Sequence, residues 1–307
     1  MVPELMSSGK LETRNQKPET PTGRLAPTPS GYLHLGNAVN FVLTWLLVRR
    51  SGGQLHLRID DLDRARLRRP YLENIFRVID WLGIDYDQGP AGPDDFLCHY
   101  SQLLHLPTYN QVLRRLAQQS GLLAGSRRSR TASQEEPIAL DAPGVAWRAQ
   151  VPAGTLIAWA DGWQPTAAVP LGELLPDFVV RKKDGVAAYQ LASVVDDLRL
   201  GTTLVVRGLD LLPSTAAQLW LAAQLPETRL FASSRIQFYH HKLLHDDAGQ
   251  KLSKSTQLSG NAGVLTLPGG PAAVYQAVAR LLQLPAEAGE SLATLRAAVG
   301  ESGLLLL

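Results

Sequence analysis

Residues 24–37 read Arg24-Leu25-Ala26-Pro27-Thr28-Pro29-Ser30-Gly31-Tyr32-Leu33-His34-Leu35-Gly36-Asn37, a strand interrupted by prolines that turns past a histidine into a helix. The strand is expected over Gly23–Pro27 and the helix over Gly36–Arg50, which is apolar at Val39, Phe41, Val42, Trp45, Leu46 and Val48 before Gly52-Gly53 stops it. Gln54–Ile59 then alternates Leu55, Leu57 and Ile59 with Gln54, His56 and Arg58, the period of a strand. Strand, helix and strand at this spacing form a right-handed βαβ unit with parallel strands. Open parallel sheets bind ligands beyond the carboxyl ends of their strands, and here that edge carries Ala26-Pro27-Thr28 and Asp60-Asp61.

A helix starting at Gly36-Asn37 offers unpaired N–H groups and the positive end of its dipole to an anion, and Gly36 allows a phosphate close to the backbone. Far downstream, Lys251-Leu252-Ser253-Lys254-Ser255 puts two lysines in one loop. His34, Asn37, Lys251 and Lys254 together suit a phosphoryl centre gaining negative charge, and neither segment has P-loop spacing. Each alone has a bland reading, as a structural turn histidine or solvated lysines; the order of the segments is what favours chemistry.

The two segments resemble the HIGH and KMSKS motifs of class I aminoacyl-tRNA synthetases. More narrowly they resemble the glutamyl branch, through Arg24 to Gly31, Arg58-Ile59-Asp60-Asp61-Leu62-Asp63, Trp81 to Asp87, Ala188 to Asp197 and Val205 to Leu212. The resemblance spans about residues 23–256 in the family's order. It implies an α/β, Rossmann-like class I catalytic core with an inserted α+β acceptor-end-type subdomain and no anticodon-binding domain. Composition, mixed and without an apolar run, makes 1–22 a disordered tail, followed by the core over 23–258 with an insertion at about 112–185 and a short helical segment over 259–307.

The same resemblance implies site roles. Catalysis falls to His34, Asn37, Lys251 and Lys254, and ATP binding to His34, Gly36, Asn37 and Lys254, with magnesium screening the phosphates. Glutamate, with two carboxylates and an ammonium, needs guanidinium groups and an acid. Arg24 and Arg207 supply the former, Thr28 and Tyr189 hydroxyls, Asp60 the acid, and Ala26 completes the pocket. The family usually has glutamate where Asp60 stands, so the ammonium must sit deeper or bridge through water. Asparagine replaces the final histidine of the first motif and cannot become a cation, so activation is expected to be weakened but not abolished. The bland reading of Asp60, Asp61 and Asp63 is an exposed acidic turn paired with Arg64 and Arg66.

Short relatives often hold zinc in the insertion through cysteines, but Leu122 to Arg128 has none, so no zinc is expected. Arg127, Arg128 and Arg130 suit either tRNA phosphates or a solvated loop. After Ser255 the sequence runs only to residue 307, a length that resembles the stand-alone glutamyl-Q tRNA(Asp) synthetase family. That family implies transfer of glutamate to the queuosine base in the anticodon of tRNA(Asp). A truncated glutamyl-tRNA synthetase charging an acceptor end, a small-molecule nucleotidyltransferase and a non-catalytic tRNA-binding relative share parts of the pattern.

Composition sets outer bounds. The 307 residues bury a substantial core, and 30 basic against 28 acidic side chains give no global positive field, so tRNA contacts must be local. A single cysteine, Cys98, excludes an intramolecular disulfide and suits a reducing cytoplasm. No apolar run is long enough to span a bilayer, and a monomer is expected. Further strands are expected at Val145–Val151, Leu156–Trp159 and Thr203–Arg207, and a hairpin pairs Phe178–Lys182 with Val186–Ala192 about an Asp-Gly turn. Helices are expected from Pro70 to about Leu82, over Pro107–Gln119, from Pro213 to Leu225 and over Ala272–Leu284.

Overall fold

The computed structural model describes residues 20–127, 138–165, 167–244 and 263–301. Its centre is a four-stranded sheet of β1 (Thr22–Leu25), β2 (Gln54–Leu57), β8 (Leu204–Gly208) and β9 (Gln237–His241), ordered β2-β1-β8-β9. All neighbours run parallel, with Arg24 opposite His56 and Arg207 opposite His240. Between β1 and β8 the sequence inserts a three-stranded antiparallel sheet of β3 (Leu123–Ser126), β4 (Ala146–Gln150) and β7 (Asp177–Arg181). Beside it lies a hairpin of β5 (Leu156–Trp159) and β6 (Ala167–Pro170).

The central sheet separates two cores. On one face Leu25, Leu55, Leu57, Leu204 and Val206 pack with helix α1 (Leu35–Arg50). Every residue of α1 from Ala38 to Val48 except Asn40 is buried, so this helix is apolar around most of its circumference. Its flank away from the sheet is covered by the Pro271–Leu281 and Leu292–Glu301 helices, whose Val274, Tyr275, Val278, Leu295 and Val299 join the same core. Tyr275 also donates its hydroxyl to the Leu82 carbonyl at 2.9 Å. A helix buried on two sides explains why the strand-to-helix unit reads so strongly from its apolar residues.

On the opposite face Val205 and Phe238 pack with the Tyr189–Arg199 and Leu212–Ala222 helices. The alternate residues of the strands on this face are largely polar: Arg24, His56, Arg58, Arg207 and His240 are all buried. The period-2 pattern of β2 therefore separates an apolar core from a buried polar layer, not core from solvent.

One expected element is corrected. Lys182 and Val186 close the Asp-Gly turn, with Gly185 at φ +89°, but only Arg181 and Ala187 bridge across it. Val186–Ala192 is not a strand, because a helix begins at Tyr189. Leu191, Ala192, Val194, Val195 and Leu198 recur with helical spacing, and continuing that period past Ala192 outweighs the short alternation that suggested a hairpin. Within the short helical segment expected over 259–307, a second helix whose bounds were not assigned closes the described chain at Leu292–Glu301. Among the described residues no helix is long and apolar enough to cross a membrane.

Candidate active site

At the carboxyl edge of the parallel sheet lies a cavity of about 350 Å3. It brings together Arg24, Ala26, His34, Gly36, Asn37, Asp60, Tyr189 and Arg207. Thr28 lies in an adjoining cavity of about 610 Å3 that shares Asp60 and Tyr189 with the first. Lys251 and Lys254 lie outside the described residues, as do Arg128 and Arg130. The described residues on one side of the lysine segment line the cavity, and those on the other side return beside Leu33. Leu243 and Leu244 line the cavity, and the chain returns at Val264, whose N–H donates to the Leu33 carbonyl at 2.8 Å, next to His34. Gly263 has φ +57°, and a side chain there would meet Leu33 O at 2.4 Å, so this return path requires glycine.

His34 is the N-cap of α1. The Gly36 N–H donates to His34 Nδ1 at 3.1 Å, and the His34 N–H donates to Asn37 Oδ1 at 3.0 Å, a capping box built from histidine and asparagine. Because Nδ1 accepts a hydrogen bond, the neutral ring carries its proton on Nε2 and presents a donor there. Asn37 spends its oxygen on the cap, which leaves its amide N–H2 as the donor toward an anion. No acidic residue occupies the first turn of α1, so its positive dipole end is not locally neutralised.

Three arginines enter from the central sheet, Arg24 on β1, Arg207 on β8 and Arg58 just past the end of β2. Arg24 Nε and Arg58 Nη1 both donate to Asp197 Oδ1, at 2.9 and 2.6 Å, and Arg58 also grips both oxygens of Asp60 at 2.8 and 3.3 Å. Asp197 is fully buried; burial pushes its carboxyl up, but the charges of Arg24, Arg58 and Arg207 outweigh this and hold it below the usual carboxylate range. Asp60 moves the other way. Burial raises its carboxyl, Arg58 offsets this only in part, and Asp196 and Asp197 add to the rise. Arg207 differs from the other two arginines in its neutral partners: Nη1 donates to Gln218 Oε1 at 2.6 Å and Thr215 Oγ1 at 3.1 Å, while the buried Nη2 has no hydrogen-bond partner among the described residues. A desolvated guanidinium with an unused donor is a strong site for an anionic group.

The expected alternative for the acidic turn is partly seen. Both expected pairs form, Asp63 with Arg66 and Asp61 with Arg64 at 2.7 Å, but Asp60 and Asp61 are buried, not exposed, and Asp61 also accepts from Ser101 Oγ at 2.6 Å and the Gln102 N–H at 2.8 Å. Sequence reasoning gave no role to Arg58, Asp197, Gln102, Thr215 or Gln218. The adjacent acids Asp196-Asp197 on an otherwise apolar helix were the available signal. Among the described residues no group of three or more His, Cys, Asp or Glu side chains is placed to hold a metal ion.

A parallel sheet that delivers an uncompensated helix N-terminus and an arginine-lined pocket to one edge defines a nucleotide-binding α/β enzyme core. The family model for the catalytic domain of class I tRNA synthetases (E and Q) matches residues 22–121 and 127–295, and the chain belongs to that family. It is 37% identical over 273 residues to the glutamyl-Q tRNA(Asp) synthetase of Symbiobacterium thermophilum, covering 80% of each chain. It is 36% identical over 265 residues to that of Nitratidesulfovibrio vulgaris, covering 76% of this chain and 78% of the relative. In fold it is similar to the glutamate-tRNA synthetase of Elizabethkingia anophelis, with TM-score 0.64 and 24% identity over 77% of this chain and 53% of that one. The chain thus spans about half the length of that solved structure.

Proposed function

We propose that this chain activates glutamate with ATP and transfers it to the queuosine base in the anticodon of tRNA(Asp). The observation that carries the reading is the single cavity joining the His34 helix terminus to Arg24, Asp60, Tyr189 and Arg207. The names of the relatives supply the acceptor.

In the first step a carboxylate oxygen of glutamate attacks the α-phosphorus of ATP and pyrophosphate leaves, giving glutamyl-adenylate. His34 Nε2–H, the Asn37 amide and the first-turn N–H groups of α1 stabilise the added negative charge, and Lys251 and Lys254, which follow the cavity-lining Leu243 and Leu244 in sequence, supply positive charge. Magnesium enters with ATP and screens its phosphates. Arg207 and Arg24 bind carboxylate, Asp60 the ammonium, and Thr28 and Tyr189 orient the substrate with Ala26 at its side. In the second step a hydroxyl of the acceptor attacks the activated carbonyl carbon and AMP leaves. The adjoining cavity containing Thr28, Lys182 and Ser193 is the route for that acceptor. The insertion, which contributes Lys182 to this cavity, faces the incoming tRNA.

The decisive experiment incubates the purified protein with labelled glutamate, ATP and matched tRNA(Asp) pools with and without queuosine. Label on the queuosine pool alone is expected. Equal labelling of both pools assigns transfer to the terminal ribose and overturns the acceptor, and tRNA binding without glutamate-dependent ATP–pyrophosphate exchange overturns the enzyme.

A further inference from the structure

A buried chain of hydrogen bonds runs from Arg207 away from the cavity to the segment joining β5 and β6. Arg207 Nη1 donates to Thr215 Oγ1 at 3.1 Å, Thr215 Oγ1 lies 2.9 Å from His240 Nε2, and His240 Nδ1 contacts Asp161 Oδ2. Thr215 is wholly inaccessible, as are the side chains of His240 and Asp161. The imidazole is walled by Phe238, stacked at 6.3 Å, and by Trp159 at 5.8 Å. Asp161 is itself fixed: its Oδ1 accepts the N–H groups of Trp163, Gln164 and His240 at 3.0, 3.2 and 3.2 Å.

The donors in this chain can all point one way. Arg207 donates to the threonine oxygen, the threonine hydroxyl donates to Nε2 of a neutral imidazole, and Nδ1–H donates to the Asp161 carboxylate. Hydrogen bonds aligned in series polarise one another and strengthen the set. The Leu211 carbonyl, 3.2 Å from Thr215 Oγ1, is the other acceptor for that hydroxyl, and it is farther away than His240 Nε2. Burial raises the Asp161 carboxyl, but the His240 contact and the backbone donors more than reverse this, so Asp161 stays ionised at neutral pH.

This arrangement solves a specific problem. A carboxylate placed directly on Arg207 would hold it still but would compete with the substrate for its charge, as Asp197 does at Arg24 and Arg58. Gln218 and Thr215 instead fix the guanidinium through neutral contacts, with Asp197 acting on it only through space and Asp161, the carboxylate that ends the chain, two groups away. We infer that Thr215, His240 and Asp161 are positioning residues that orient Arg207 for the glutamate carboxylate while leaving its charge available. The inference rests on the glutamate reading of the pocket. It also links that pocket to the inserted β5–β6 segment, where Asp161 bridges to Phe238 of β9.

The test measures ATP–pyrophosphate exchange as a function of glutamate and of ATP. Thr215→Val, which keeps the side-chain volume but removes the hydroxyl, is expected to raise KM for glutamate about tenfold, the scale of a lost hydrogen bond to a charged group. KM for ATP should stay within about twofold, and Thr215→Ser should restore the glutamate KM, outcomes that a general loss of structure does not produce. Adding His240→Gln to Thr215→Val should change the glutamate KM by less than about twofold more, because the chain is already broken. If Thr215→Val does not fold, Asp161→Asn provides the same split in KM without loss of volume. Equal changes in both KM values, or an unchanged glutamate KM in folded variants, overturn the positioning role. Absence of exchange in the unaltered protein overturns the glutamate reading and this inference together, whereas active parent with indifferent variants overturns the inference alone.

Discussion

Arg24 and Asp197, 173 residues apart in sequence, meet at 2.9 Å between the central sheet and the Tyr189–Arg199 helix. Arg58 shares the same carboxylate oxygen, so one buried acid pairs with two guanidinium groups from the central sheet. Asp197→Ala takes from Arg24 the carboxylate it pairs with, leaves Arg58 with Asp60 alone, and should lower stability by roughly 3–5 kcal/mol in chemical denaturation. Because the Asp197 carboxyl is held below its unfolded value, its contribution is complete above the ordinary aspartate range and is lost as pH falls through the depressed folded value. Acid unfolding of Asp197→Asn should therefore lack that component of the pH dependence. A variant as stable as the parent would show that the pair merely accompanies folding.

Asp60 titrates in the opposite direction, with its folded value raised by burial. If it binds the glutamate ammonium, it must be ionised to do so. KM for glutamate should then rise as pH falls through a value above the ordinary aspartate range, and Asp60→Asn should raise KM at neutral pH and flatten the profile. An unaltered profile in that variant would assign the ammonium to another group. The raised value also means that the folded state takes up this proton more readily than the unfolded chain, so stability from Asp60 declines as pH rises through the same interval.

The close approach of Gly36 to His34 makes a third test. A Cβ on residue 36 would lie 3.1 Å from His34 Cε1 and 3.2 Å from Nδ1, so Gly36→Ala displaces the imidazole by a few tenths of an ångström. The φ of Gly36 is not in the left-handed region, so the backbone accepts alanine. Exchange should fall about tenfold while the melting temperature is nearly unchanged, since misplacement of this kind acts on the reacting geometry. His34→Ala should cost more in rate and about 1 kcal/mol in stability through loss of the cap.

Lys254→Ala should keep the fold and lower exchange at least about tenfold, the usual effect of removing a donor from a charged transition state. Exchange at the parental rate would remove that lysine from the reaction.

Much of the fold was legible because α1 and β2 carry strong periodicities and glycines mark their junction. Arg24, Asp60, Tyr189 and Arg207 were legible as site candidates through motif resemblance, and all four line one cavity. Their partners were not. Arg58 alternates with leucines and so reads as a solvent-facing residue, whereas the structure buries it against Asp197, 139 positions away. Nothing in a local window reveals a buried polar layer between a sheet and its helices. The Tyr189 helix was misread for a related reason: seven residues cannot separate a short alternation from a helical period that continues beyond them. Within the expected helical C-terminal segment the bounds of the Leu292–Glu301 helix were not legible, because its apolar contact rests mainly on Leu295 and Val299 among polar and small neighbours.

The covering of α1 by the Pro271–Leu281 and Leu292–Glu301 helices has a consequence for how the protein is made. During synthesis α1 leaves the ribosome early, but the segments that shield its outer flank follow only after the inserted sheets and β9 have been translated. Until then Phe41, Trp45, Leu46 and their neighbours lack those late partners, and an incomplete chain with so greasy an early helix exposes the kind of apolar surface that promotes self-association.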